Sequence, residues 1–160
     1  MEKYNSIINA INSELIAFLN FLNPDIKIPL FDENRLNDTN ISWKLKENGW
    51  WESLFPSAES PGVYFILGSK KDDDSKIAVY VGKASHNSCI GKRLYSHLSN
   101  PRREEKIYTM RDINGDDFQL ELVLTIPLDD IDFFAPALEE FFIYKLQRRD
   151  IYLLNCVGKY

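Results

Sequence analysis

A chain of 160 residues with 44% hydrophobic side chains can bury one substantial core, and no apolar run approaches the ~20 residues that cross a bilayer. Cys89 and Cys156 lack CxxC or Cys/His ligand spacing, which excludes a disulfide framework and argues against a zinc site. The net charge of −5 argues against binding polyanions over the whole surface, yet residues 80–111 carry seven basic side chains against two acidic ones. Such a patch is either a solvated helix face or a place for modest, salt-sensitive contact with phosphates. Glu2 and Lys3 lead into an amphipathic pattern instead of a signal peptide, so a cytoplasmic chain is expected, with no membrane partner.

In chain order, residues 4–23 place Ile8, Ile11, Leu15, Leu19 and Leu22 at spacings of three and four, a helical stripe closed by Asn23-Pro24. This helix either covers the core of its own chain or forms a dimer seam. Residues 24–60 are irregular and aromatic-rich; Trp43, Trp50, Trp51 and Phe55 form a wrapped satellite cluster or offer a stacking surface. Residues 1–60 are therefore an N-terminal helical and wrapping extension, and 61–160 the main domain. Two β-branched runs, Val63-Tyr64-Phe65-Ile66-Leu67 and Ile77-Ala78-Val79-Tyr80-Val81, flank a polar stretch at 68–76 and predict a β-hairpin. The three aspartates 72–74 lack the alternation of a calcium loop and read as a solvated hairpin tip.

A polar connection containing His86 leads to Ile90, Leu94 and Leu98, a helical spacing that sets Arg93 and His97 one turn apart on a neighbouring face. Asn100-Pro101 predicts a second helix, ended by Asn114-Gly115, with Arg102, Arg103 and Lys106 projecting from its start. Apolar residues at 118, 120, 122, 124 and 126 alternate as a third strand. A turn at 129–132 precedes a last helix, opened by Ala135-Pro136 and running to about Arg149. Winding it places Glu139 between Ile143 and Leu146 in the apolar arc and Glu140 towards Gln147. A carboxylate in an apolar stripe needs a partner: a cation at a functional site, or Lys145 or Arg149 in an ordinary ion pair.

Gly62-Val63-Tyr64, then Tyr80-Val81-Gly82-Lys83-Ala84, Arg93-x3-His97, a glutamate in a later helix and Asn155 after it occur in an order that resembles the GIY-YIG nuclease family. Val replaces Ile in both name-giving tripeptides, keeping β-branching. The resemblance spans residues 61–157. It implies an α+β fold, a three-stranded antiparallel β-sheet flanked by helices, with an N-terminal helical extension. It also implies a divalent-metal-dependent DNA endonuclease, with restriction, repair, mobile-element and toxin settings all open.

By that resemblance Tyr64 acts as general base, Tyr80 and His97 orient or relay the proton, and Lys83 and Arg93 hold the phosphate. Glu139, or its neighbour Glu140, coordinates one Mg2+ or Mn2+, and Asn155 steadies the site unless it is only a turn residue. Lys92, Arg102, Arg103 and Lys106 are expected to contact DNA. One site per chain leaves a homodimer possible for cutting both strands. The rival expectation is a nuclease-like module that binds nucleic acid or a protein without cutting.

Overall fold

A computed structural model describes residues 2–22, 24–48, 52–85, 87–98, 107–149 and 151–155. After a 3-10 turn at Glu2–Tyr4, helix α1 spans Asn5–Leu19. It stops short of the expected position 22, because the N–H groups of Phe21 and Leu22 bond to the Phe18 and Leu19 carbonyls and tighten the chain into turns. Within the stretch expected to be irregular lie a short helix α2 (Glu33–Asn37), capped by Asp32, and strand β1 (Ser42–Lys44). Strands β2 (Gly62–Lys70) and β3 (Asp73–Ala84) form the hairpin. Its turn is only Lys71 and Asp72, so most of the predicted loop at 68–76 is strand. Helix α3 (Ile90–Leu98), strands β4 (Tyr108–Arg111) and β5 (Asp117–Pro127), helix α4 (Ala135–Gln147) and strand β6 (Tyr152–Leu153) complete the described elements.

The expected three-stranded antiparallel sheet is corrected. Among the described residues the sheet has six strands in the order β1-β5-β2-β3-β6, with β4 also on β5. It is mixed, since β6 runs parallel to β3 while the other pairings are antiparallel. β1 and β4 share one edge of β5, at residues 122–124 and 117–120 respectively, which a three-strand reading leaves bare. The helix predicted to end at Asn114-Gly115 is likewise replaced, over residues 108–111, by β4. The β4–β5 turn is closed by Asp112, whose carboxylate accepts from the N–H groups of Asn114 and Asp116, with Gly115 at positive φ.

Two cores lie on the two faces of this sheet. On one, Val63, Phe65, Val79, Val81, Leu122 and Leu124 meet α1 (Ile7, Ile11, Leu15) and α4 (Leu138, Phe142, Leu146). On the other, Tyr64, Ile66, Ala78 and Val123 meet Ile90, Leu94 and Leu98 of α3, with Trp43 and Phe55 of the wrapping segment. Each buried Leu, Ile or Phe contributes about 1.5–3 kcal/mol, so α1 is part of the core cover and not an appendage. Edge-to-face contacts of Phe18 with Phe134 and Phe141 extend the α1–α4 seam. A nearly buried Glu14 clamps it, accepting from Arg149 Nε at 2.5 Å. No described helix is long and apolar enough to cross a membrane.

Candidate active site

Strand alternation sorts the candidate residues. Tyr64 on β2 and Tyr80 and Gly82 on β3 share the face covered by α3, and Tyr64 is the register partner of Gly82. Tyr64 lies flat across its neighbour strand, and a Cβ at position 82 would fall well inside contact distance of its Cζ and Oη. Only glycine leaves that space, a role the sequence order marks without explaining. At the head of the hairpin Gly62 takes a positive φ of 149° and backs onto the Ile126 carbonyl, which starts β2 in register.

Helix α3 delivers the next two groups. His97 Nε2 lies 3.1 Å from Tyr64 Oη, and the His97 ring centroid is 4.8 Å from that of Tyr80. The helix start is fixed by the segment just before β2: Ile90 N–H donates to the Ser60 carbonyl and Gly91 N–H to that of Ala58. Ser57 anchors this strap, its hydroxyl 2.8 Å from that of the fully buried Thr125 and 3.0 Å from the Asn40 carbonyl. Sequence reading gave this strap no role, and its only legible signal is Thr125, a hydroxyl on an otherwise apolar strand.

The electrostatics push Tyr64 and His97 in opposite directions. Burial raises the Tyr64 pKa well above that of a free phenol, Tyr80 adds to the shift, and the Arg93 guanidinium opposes it by charge and by hydrogen bonding. Burial lowers the His97 pKa from its ordinary value near 6.5, and the Arg93 charge lowers it further. At neutral pH the imidazole is uncharged. Its ring nitrogen facing Tyr64 is then free to accept the phenol proton.

Lys83 and Glu139 meet on the other side of β3. Lys83 is in phase with Val79 and Val81, on the face covered by α4, and its Nζ lies 2.6 Å from Glu139 Oε2. The Glu139 side chain is only 15% exposed, whereas Glu140 is exposed. Lys145 and Arg149, the alternative partners weighed for Glu139, both face Glu14 instead. The Glu139 charge also raises the Tyr64 pKa, so the two halves of the site act on each other around β3. Asn155 joins them: its amide accepts from Val81 N–H at 2.8 Å and donates to the Val81 carbonyl at 2.6 Å, pinning the edge of β3 beside Gly82. It holds backbone, a positioning role.

The remaining candidates divide. Lys92 and Arg93 are exposed on α3. Arg102, Arg103 and Lys106, with the predicted start of the second helix at Asn100-Pro101, lie outside the described residues, as do His86, Trp50, Trp51 and Cys156. Trp43 is buried against Phe55 at 5.2 Å between centroids, so it is packing volume. Clefts of about 640 and 570 Å³ open beside Phe118 and Tyr152, and beside Leu54 and Tyr95; neither is lined by Tyr64, His97 or Glu139.

No protein-family model, curated protein or solved structure matches the chain. Among the described residues no cluster of three or more His, Cys, Asp or Glu could cage a metal ion. A single carboxylate does suit Mg2+, which keeps most of its hydration shell and takes substrate oxygens. The Glu139 carboxylate is paired with the Lys83 ammonium.

Proposed function

We propose that the chain is a divalent-metal-dependent phosphodiesterase acting on DNA, a nuclease of the GIY-YIG kind. The observation that carries this reading is the grouping of Tyr64, His97 and Arg93 across one face, with Lys83 and Glu139 beside it at the same strand. Tyr64, His97 and Arg93 gather on the α3 face, Lys83 and Glu139 pair on the α4 face, and β3 carries the two groups back to back. An open surface with exposed Arg93 and Lys92 also suits a polymer backbone better than a closed pocket does.

Hydrolysis of a phosphodiester needs a deprotonated water, stabilisation of charge on the phosphoryl oxygens, and help for the departing oxygen. A tyrosinate at position 64 is disfavoured by its burial, so a relay serves better than a free base. Once a local opening admits water to the fully buried Tyr64 Oη, the phenol takes a proton from that water while passing its own to neutral His97 Nε2, and no phenolate accumulates. Each transfer breaks one O–H bond and forms another bond to hydrogen, and the charge ends on imidazolium. Its depressed pKa makes that imidazolium a ready acid for returning the proton. Arg93 and Lys83 hold phosphoryl oxygens. Glu139 would hold Mg2+, which supplies charge neutralisation at the phosphate when bound. A cytoplasmic setting goes with this reading, as two cysteines without a framework or ligand spacing suggest.

A second reading, a nuclease-like module that binds without cutting, is favoured by the raised Tyr64 pKa and by the single acidic ligand. Incubation of a random-sequence duplex library with the protein and Mg2+, followed by sequencing of new ends, separates the two. Cleavage supports the nuclease, and the pattern of ends reveals its target. A library that is retained by the protein but never cut, with Mg2+ or Mn2+, favours the binding module.

A further inference from the structure

We infer that Lys83 exchanges partners, bonding Glu139 in the free protein and a phosphodiester oxygen in the complex, so that divalent cation and DNA are taken up together. The inference rests on the nuclease reading and adds the order in which the site is filled. In the free protein the Lys83 and Glu139 charges are in contact at 2.6 Å and cancel. A hydrated divalent cation approaching this pair meets no net charge, and among the described residues no cluster of acids offers it a second hold.

Exposure and position favour movement of the lysine over the glutamate. Glu139 is 15% exposed and rises from α4 beside the fully buried Leu138 and Phe142, whereas Lys83 is 35% exposed on a flexible four-carbon stem one residue from the end of β3. A phosphate brought in by Arg93 beside Tyr64, whose register partner is Gly82, would add its negative charge one residue along β3 from Lys83. Lys83 then gains a second acceptor, and Glu139 regains the negative charge that a cation needs. Phosphate and cation each remove the other's competitor, which is positive coupling and is reciprocal by linkage.

The experiment reads cation binding without cleavage. Free Mn2+ is followed by electron paramagnetic resonance as wild type, Lys83→Met, Glu139→Gln and the double variant are titrated without DNA. Thermal unfolding of each variant verifies that it is folded, and Lys83→Gln replaces Lys83→Met if the latter is not. The expected result is no stoichiometric site in the wild type, and one site in Lys83→Met at least tenfold tighter that vanishes in the double variant. A stoichiometric wild-type site abolished by Glu139→Gln overturns the inference and leaves the nuclease reading standing. A folded Lys83 variant that gains no site also overturns it. Failure of the nuclease reading looks different: the wild type then retains duplex DNA without cutting it in Mg2+ or Mn2+, whatever the Mn2+ titration shows.

Discussion

At the scale of single residues the account turns on how one phenol is shared. Tyr64 is buried and protonated, its Oη is 3.1 Å from an imidazole that burial keeps neutral, and Arg93 steadies the oxygen. Tyr64→Phe keeps the ring and its packing, so the protein stays folded while cleavage falls by about 10²–10⁴-fold, the usual span for general acid–base groups; rates with Mg2+ check this. Because the proposed relay uses neutral His97, the rate should rise with pH through the depressed His97 pKa and level off above it, with the acid limb flattened in His97→Gln. Stability follows the same sign. A folded-state pKa below the unfolded one gives a contribution that is complete above about 6.5 and is lost as pH falls through the folded value, readable as a drop in Tm that His97→Gln reduces. Gly82→Ala places a methyl in the space of the Tyr64 ring, so it costs about 1–3 kcal/mol in urea unfolding and displaces the phenol, lowering cleavage as well.

At the scale of elements the site is assembled from parts that no local pattern specifies. The hairpin runs of five residues, the i, i+4, i+8 stripe of α3 and the five alternating apolar positions of β5 were legible as periods; Arg93 and His97 followed from the α3 stripe, and the apolar setting of Glu139 from the winding of α4. β1 and β6, three and two residues long, have no period to read and exist because β5 and β3 offer them edges. The predicted second helix failed for a nameable reason. Asn114-Gly115 is as good a hairpin turn as a helix stop, and Ile107-Tyr108-Thr109 has the β-branched, aromatic character of a strand. The pairing of Glu139 with Lys83 was also beyond the sequence, since helix geometry offered Lys145 and Arg149 as neighbours. Only the fold shows those two committed to Glu14. Asn155 accepts from Val81 N–H and donates to the Val81 carbonyl, at a stretch of the β3 edge where no strand pairs among the described residues. Asn155→Leu should therefore cost about 1–3 kcal/mol in denaturant unfolding and raise amide exchange along β3 before any change in Mg2+ dependence.

At the scale of the molecule, two cores on opposite faces of one sheet hold the two halves of the site, with α3 bringing Arg93 and His97 and α4 bringing Glu139. β3 is the element both halves share. An acidic chain whose basic residues are concentrated in the sequence window 80–111 predicts DNA affinity that falls steeply with salt, measurable by fluorescence anisotropy between about 50 and 200 mM salt; about four phosphate contacts would give a log–log slope near −4. The N-terminal helix is bound into the α4 side by Glu14 and Phe18, so removing it exposes the first core and should unfold the domain instead of freeing a smaller nuclease. The central claim, that Tyr64 and Glu139 serve one phosphodiester hydrolysis, is tested most directly by the rate at which supercoiled plasmid is converted to nicked or linear DNA. Wild type in Mg2+ should convert it, while wild type in EDTA, Tyr64→Phe and Glu139→Gln should leave it supercoiled. Equal conversion by the wild type and both folded variants, or undiminished conversion in EDTA, would contradict the account.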